Sequence, residues 1–355
     1  MPSDRRVDTD LGGVDRVGAG SGATHGFGPA TAGASSAPRF APFGPMLRQA
    51  VADGYAVAAF NVYDLATFRA AVAVAKQTGA PVILALGERY FSLMRPRTAV
   101  ALLRSLLAEA GAIPAGAIPA SAIPASSGPV VGLHLDHAAS PEHCLEAIEA
   151  GFSSVMIDAS HLPFEENVRV TRAVVEAAHA RGVGVEAELG GIAAGDASHE
   201  FSTGTEALTD PDQAAAFVAA TGVDALAVSV GTVHGLYRGD PHIDLPRLQA
   251  IRARVDVPLV LHGGSGTPAD LLSAAIGRGV AKVNVNTEVA LAAVRRIAEA
   301  VAAKPKTHLS ELTGIAEAAA REVMADYIAR FRWRGGTGRG ATGPSEGRAS
   351  GEAGR

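Results

Sequence analysis

Eight short runs of aliphatic and β-branched residues, each followed by a segment of helical length, constrain this chain more than any other feature. The runs are Ala56–Phe60, Val82–Leu86, Val130–Leu135, Ser154–Ile157, Val183–Leu189, Ala225–Val230, Pro258–Leu261 and Ala281–Val285. Most are nearly continuous in apolar character, the pattern of parallel strands covered by helices. The segments between them follow helix grammar. Asp64–Gly79 carries Leu65, Phe68, Ala71, Val72 and Ala75 on one face and stops at Gly79. Pro141–Gly151 follows Ser140 as N-cap, with proline at the first helical position and glycine beyond the end. Asp210–Gly222 and Thr267–Gly277 repeat that grammar. The expected fold is α/β, a TIM (β/α)8 barrel with an extra C-terminal helix near Leu309–Arg332. A doubly wound open sheet would show a glycine-rich phosphate turn after an early strand, and none stands near Ala58–Asp64.

The barrel is expected over residues 41–334. Residues 1–40 and 335–355 are rich in small and polar residues and read as disordered tails. The first has no apolar core of a signal peptide. Ala112–Ser127 reads AIPAGAIPASAIPASS, and prolines this frequent bar a helix or a central strand. Residues 112–128 are therefore expected to form an extended low-complexity insertion. A hydrophobic share of 48% is enough for one large core. A net charge of −5 offers no basic face for nucleic acid. No apolar run reaches the ~18 residues of a membrane span. The lone cysteine, Cys144, excludes an internal disulfide, reads as a small buried hydrophobe and points to the cytoplasm.

In a TIM barrel the active site lies at the C-terminal ends of the strands. Those ends carry Asn61, His134-Leu135-Asp136-His137, Glu186-Ala187-Glu188-Leu189-Gly190, Gly231-Thr232-Val233-His234-Gly235, His262-Gly263-Gly264-Ser265-Gly266 and Asn284-Val285-Asn286-Thr287. His137, His234 and His262 thus stand on one rim. Three imidazoles with an open position make a catalytic zinc site. A single histidine at a strand end is more often structural. Three converging, with Asp136 and Glu188 beside them, reverse that reading. His134 shares the parity of Asp136 and supports the site from behind. His143, His161, His179, His199 and His242 fall on expected helices or loops, His25 in a tail, and His308 at the start of the last helix. Gly263–Gly266 leads into a helix opening at Thr267-Pro268, where glycines let the backbone approach an anion and the helix N-terminus attracts it. Asn284–Thr287 opens the last barrel helix, and phosphate sites of TIM barrels favour the loops after strands seven and eight.

Taken in order, from about Ala56 to Asn286 with Thr287 and Glu288 continuing, these motifs resemble the class II fructose-bisphosphate and tagatose-bisphosphate aldolases, Ala59-Phe60-Asn61-Val62 and Lys282-Val283-Asn284-Val285 among them. The likeness to the ketose-bisphosphate branch rests on His-Leu-Asp-His and Lys-Val-Asn-Val. The resemblance implies zinc-dependent, reversible cleavage of a phosphorylated ketose to dihydroxyacetone phosphate and an aldehyde. It implies Zn²⁺ on His137, His234 and His262, with Glu188 as an alternate ligand when the metal moves. Asp136 would handle the proton on the C4 oxygen. Gly235, Gly263, Ser265, Asn286 and Thr287 would hold the phosphate, Asn284 would contact the carbonyl region, and Asn61 would border the pocket. A Na⁺ or K⁺ beside the phosphate, and assembly as a homodimer or homotetramer, also belong to the resemblance.

The chain departs from the family pattern twice. The family places a second acid/base carboxylate on a mobile loop after the Glu-Leu-Gly strand. Here Asp196 stands nearest that place, with Glu200 as the other candidate. The end of strand two reads Gly87-Glu88-Arg89-Tyr90 where small hydroxylated residues are usual; Glu88 and Arg89 are either a solvated charge pair or pocket residues. Rival readings are a Schiff-base aldolase using Lys282, a non-catalytic accessory subunit, and a metallo-hydrolase barrel, which would carry His-x-His on strand one.

Overall fold

The computed structural model describes residues 40–111, 128–198 and 207–333. The expected tails and the Ala-Ile-Pro-Ala insertion, with His25, His199 and Glu200, lie outside the described residues apart from a few at their edges. In chain order the elements are α1 (Phe43–Asp53), β1 (Val57–Asn61), α2 (Leu65–Thr78), β2 (Val82–Gly87), a single 3-10 turn (Glu88–Tyr90), α3 (Pro96–Glu109), β3 (Val131–Ala138), α4 (Pro141–Ala150), β4 (Ser154–Ile157) and α5 (Phe164–His179). There follow β5 (Gly184–Leu189), β6 (Ala193–Ala194), α6 (Pro211–Thr221), β7 (Ala225–Val228), β8 (Val233–His234), α7 (Leu245–Arg252), β9 (Leu259–Leu261), α8 (Ala269–Ile276), β10 (Val280–Val285), α9 (Thr287–Ala303) and α10 (Leu309–Arg330).

Eight parallel strands close a barrel in the order β1-β10-β9-β7-β5-β4-β3-β2. The short strands β6 and β8 pair with each other outside that ring. The caps explain where helices stop and start. Asp64 and Thr67 form a reciprocal capping box on α2, Ser140 caps α4 and Asp210 caps α6. Gly79, Gly151 and Gly222 end those helices in the left-handed conformation. Cys144 is fully buried on α4. Helix α8 begins at Ala269, two residues later than the sequence suggests, because Pro268 serves as its N-cap. The sixth barrel strand ends at Val228 and not Val230, since Ser229 turns to bond Gly191 and Thr209.

Strand alternation sorts the side chains into two layers. Ala58, Phe60, Leu84, Leu133, Leu135, Val185, Val283 and Val285 pack outward against the helices. Val57, Ala59, Ile83, Met156, Ala225, Ala227 and Val260 fill the lower interior. That interior is closed by α1, whose Phe43, Met46, Leu47 and Ala50 belong to the same cluster. Their i, i+3, i+4, i+7 spacing is the helical signal that marks this element. A side chain at Gly184 would meet the Phe43 side chain at 2.9 Å, so glycine there makes room for the plug. At the other flank α10 packs across α2 and α9. Among the described residues no helix is long and apolar enough to cross a membrane.

Candidate active site

The upper interior of the barrel is polar and buried: His134, Asp136, Glu186, Glu188, His262, Lys282 and Asn284 are each 3% exposed or less. Most follow from parity. His137 does not, because strict alternation after Asp136 would turn it outward. The register of β3 against β4 shifts between Leu135 and Ala138, and His137 has φ 47. A non-glycine residue in the left-handed region is held there at a cost of about 1 kcal/mol or more, and such outliers cluster at functional sites. The bulge brings both Asp136 and His137 to the barrel mouth.

The three histidines meet there. Their candidate ligand atoms lie within 4.8 Å of one another. The His137 ring stands 5.0 Å from that of His234 and 4.5 Å from that of His262, centre to centre. Two buried carboxylates hold two of these rings from behind. His137 Nδ1 lies 2.8 Å from Asp158 Oδ2, and His262 Nε2 lies 2.9 Å from Glu186 Oε1. A neutral imidazole has one N–H. Assigned from these partners, both protons point at carboxylates, so the facing atoms His137 Nε2 and His262 Nδ1 present lone pairs to each other at 2.9 Å. Two lone pairs at that distance repel unless a cation lies between them. A proton is disfavoured: burial, then the neighbouring His137, push the His262 imidazole well below its usual value. A metal ion would satisfy both lone pairs; ligand nitrogens ~2.0–2.1 Å from a tetrahedral zinc stand roughly 3.3 Å apart, so the two rings would part slightly from 2.9 Å to take it.

Glu188 forms a second group with His137 and Asp158, again within 4.8 Å. Burial, reinforced by Asp158, pushes its carboxyl well above the usual range. Burial also opposes ionisation of Asp158, yet hydrogen bonds from His137 and Ser160 overcome it and hold that carboxyl well below its usual value. Asp158 is not among the site residues expected from the sequence, although it directly follows β4 at a strand end. Glu186 carries more than His262. Lys282 Nζ bonds both of its oxygens at 2.9 and 2.8 Å, fully buried. The lysine does point inward, but its ammonium is spent on this pair beneath the histidines. His134 stacks on Phe43, bonds Ser154 through Nδ1 and approaches Glu186 at 3.8 Å.

Asp136 is 1% exposed and accepts from Asn61 Nδ2 at 2.8 Å and Asn284 Nδ2 at 3.0 Å, one on each oxygen. Beyond it the glycine turn after β9 lies against two strands. A Cβ at Gly263 would fall 2.2 Å from Val233 O, and one at Gly264 would fall 2.7 Å from Asn284 O. Gly235, with φ 99, is equally confined by Asp196 O. The Ser265 hydroxyl accepts the Glu288 N–H at 3.4 Å, which joins this turn to the start of α9 at Asn286 and Thr287. Asp196 sits elsewhere in this conformation: its carboxylate is 61% exposed and pairs with Arg238 at 2.7 Å. Glu88 and Arg89 are not a charge pair with each other. Glu88 accepts the Ala139 N–H and pairs with His143, while Arg89 lies over the Tyr90 ring. Tyr90 in turn packs against Tyr63 with the rings tilted at 43°, and its hydroxyl accepts from Asn286 Nδ2 at 3.5 Å. Burial raises the Tyr63 hydroxyl to about 12.

A closed parallel barrel with a carboxylate-backed imidazole trio at its mouth is the architecture of a metal-dependent barrel enzyme. Residues 42–336 match the family model described as fructose-bisphosphate aldolase class-II. A fructose-bisphosphate aldolase of Geobacillus stearothermophilus is 39% identical over 300 residues, covering 83% of this chain and 97% of that protein. One from Staphylococcus epidermidis is 41% identical over 258 residues, covering 72% and 83%. Among solved structures, the YdjI aldolase from Escherichia coli K12 superposes with TM-score 0.68 at 31% identity, covering 82% of this chain and 97% of that one. The chain belongs to the class II fructose-bisphosphate aldolase family, metal-dependent lyases that cleave a ketose bisphosphate reversibly.

Proposed function

We propose that this enzyme uses zinc on His137, His234 and His262 to cleave fructose or tagatose 1,6-bisphosphate, or a related ketose 1-phosphate, to dihydroxyacetone phosphate and an aldehyde. The observation that carries the metal site is the pair of facing lone pairs at 2.9 Å between His137 and His262. The all-nitrogen donor set suits zinc, and the carboxylates behind it fix the tautomers. When bound, the ion supplies Lewis-acid stabilisation of the charge that develops on the three-carbon fragment. Glu188 serves as the alternate ligand: its Oε2 is buried without a hydrogen-bond partner among the described residues.

Asp136 takes the proton of the C4 hydroxyl in cleavage and returns it in condensation. Asn61 and Asn284 aim its two oxygens, which leaves no rotational freedom to this buried carboxylate. Asn284 also faces the carbonyl region, and Asn61 borders the pocket. Gly235, Gly263, Ser265, Asn286 and Thr287 bind the phosphate, with Na⁺ or K⁺ beside it. Asp196 acts as the second acid/base once its loop closes, which requires release from Arg238. An exposed pair of that kind contributes only about 0–1 kcal/mol, so the paired backbone bonds between Asp196 and Leu236 are the larger hold on this segment. The enzyme works in the cytoplasm as a homodimer or homotetramer.

The test is release of dihydroxyacetone phosphate in a coupled assay across these ketoses, before and after EDTA and again after zinc. Chelator-sensitive release restored by zinc supports the reading, and the preferred ketose names the substrate. Zinc bound stoichiometrically with no release from any ketose favours a non-catalytic accessory subunit.

A further inference from the structure

The C-terminal helix sends one side chain to the glycine turn. Tyr327 of α10 is 1% exposed, packs its ring on Phe331, and places its hydroxyl 3.2 Å from Gly266 N and 3.4 Å from Gly264 O. The same hydroxyl bonds Glu288 Oε2. That carboxylate oxygen also accepts the Gly266 N–H at 2.8 Å, while the Glu288 N–H reaches the Ser265 hydroxyl. With the Tyr327 proton given to Glu288, two residues of the turn, Ser265 and Gly266, are tied to two helices that lie outside the β9–α8 unit. Glu288 is the second residue of α9, so the same contacts fix Asn286 and Thr287 relative to the turn.

A carboxylate is the wrong charge beside an anion site. Near a bound phosphate it repels, by Coulomb's law, even when screened. Its benefit must therefore come through geometry. Gly263 and Gly266 have φ 72 and 75, and glycine pairs are the freest backbone in a chain. Left untied, a turn of this kind pays its ordering entropy when the anion binds.

We infer that Glu288 and Tyr327 are positioning residues that lock the Gly263–Gly266 turn in its anion-binding shape and so set the affinity for the phosphate of the three-carbon fragment. The inference rests on the aldolase reading of that turn. It makes the extra helix α10 part of the binding apparatus as well as of the scaffold.

The test uses the full-length enzyme and inorganic phosphate, titrated by calorimetry, alongside the KM for dihydroxyacetone phosphate in condensation. Tyr327→Phe and Glu288→Ala are expected to weaken phosphate and raise that KM about tenfold, ~1.4 kcal/mol, with kcat changed about twofold or less. Glu288→Gln keeps an acceptor for Gly266 and should stay within about threefold of wild type. If the charge alone mattered, Glu288→Ala would bind phosphate more tightly, and that result overturns the inference. So does an unchanged phosphate affinity accompanied only by a lower melting temperature, the signature of a purely structural tie. Should Glu288→Ala fail to fold, Tyr327→Phe, which removes a single oxygen, carries the same decision. Wild-type enzyme that cleaves no ketose and binds no phosphate would defeat the aldolase reading itself; wild type that does both, with variants indistinguishable from it, defeats the clamp alone.

Discussion

Replacing Asp136 by asparagine separates the proton-transfer role of this residue from the rest of the site. The change keeps shape and removes the base, so cleavage should fall by about 10²–10⁴, the usual contribution of general acid–base catalysis. A structural effect accompanies it. Each carboxylate oxygen accepts one side-chain amide, from Asn61 and from Asn284. An asparagine there has one acceptor and would turn its own NH2 toward the other donor, losing a charge-assisted bond worth about 1.5–3 kcal/mol. With an unfolding entropy of ~2.1 cal/mol/K per residue, a barrel of ~290 residues should then melt about 2–5 °C lower. The histidines are untouched, so the capacity to hold a metal ion should remain. The decisive assay is exchange of a carbon-bound proton of dihydroxyacetone phosphate with deuterated solvent, a half-reaction with no C4 hydroxyl. Asp136→Asn should retain this exchange while losing cleavage. Cleavage within tenfold of wild type, or exchange lost in parallel with cleavage, would refute the role given to Asp136.

Asp196→Asn should show the opposite division, with exchange slowed along with cleavage; unchanged exchange would return its exposed pair with Arg238 to a purely surface role. Glu186→Leu leaves Lys282 buried without its partner, a situation that costs about 3–5 kcal/mol, and should also weaken zinc through the unsupported His262 ring, read by melting temperature and metal content. Gly263→Ala places a Cβ 2.2 Å from Val233 O at a left-handed position and should abolish phosphate binding, checked by the same titration. In EDTA-treated enzyme Glu188 has a carboxyl raised above its ordinary 4.5. A raised folded-state value contributes stability that is present below the unfolded value and lost as pH rises through the folded one. Its contribution therefore falls as pH rises above 4.5, so the metal-free melting temperature of Glu188→Gln should gain on that of wild type over that range, while His134 and His262, held well below their ordinary value by burial, give both proteins the opposite slope.

How much of this site could be read from the sequence depends on where each side chain is launched. A residue at the end of a barrel strand has a spatial address that equals its sequence address, so the strand-end rule reached Asp136, His234, His262, Asn284 and the glycine turn. The rim placement of His137 agrees with that rule but not with alternation, because it depends on a bulge and a left-handed residue that no pattern in His-Leu-Asp-His announces. Glu88 and Arg89 show the converse: neighbours in sequence, they part in space, one to His143 and the other to Tyr90. Asp158 lies within reach of the rule, yet a lone aspartate after Val155-Met156-Ile157 carries no motif. The plug α1 was hidden by its position beside a low-complexity tail, though Phe43, Met46, Leu47 and Ala50 have helical spacing. Glu288 continues the family-like run after Asn286, but nothing local links it to Tyr327. Their meeting at Gly266 is set by the docking of α10 across α9, a tertiary event with no sequence signature in either segment. Strand ends thus carry the chemistry in a form the sequence reveals, while the parts that hold those ends in place come from the interior and from a distant helix. This is why a substitution at Tyr327 in α10, 61 residues along the chain from Gly266, is the one expected to alter substrate affinity without touching the metal.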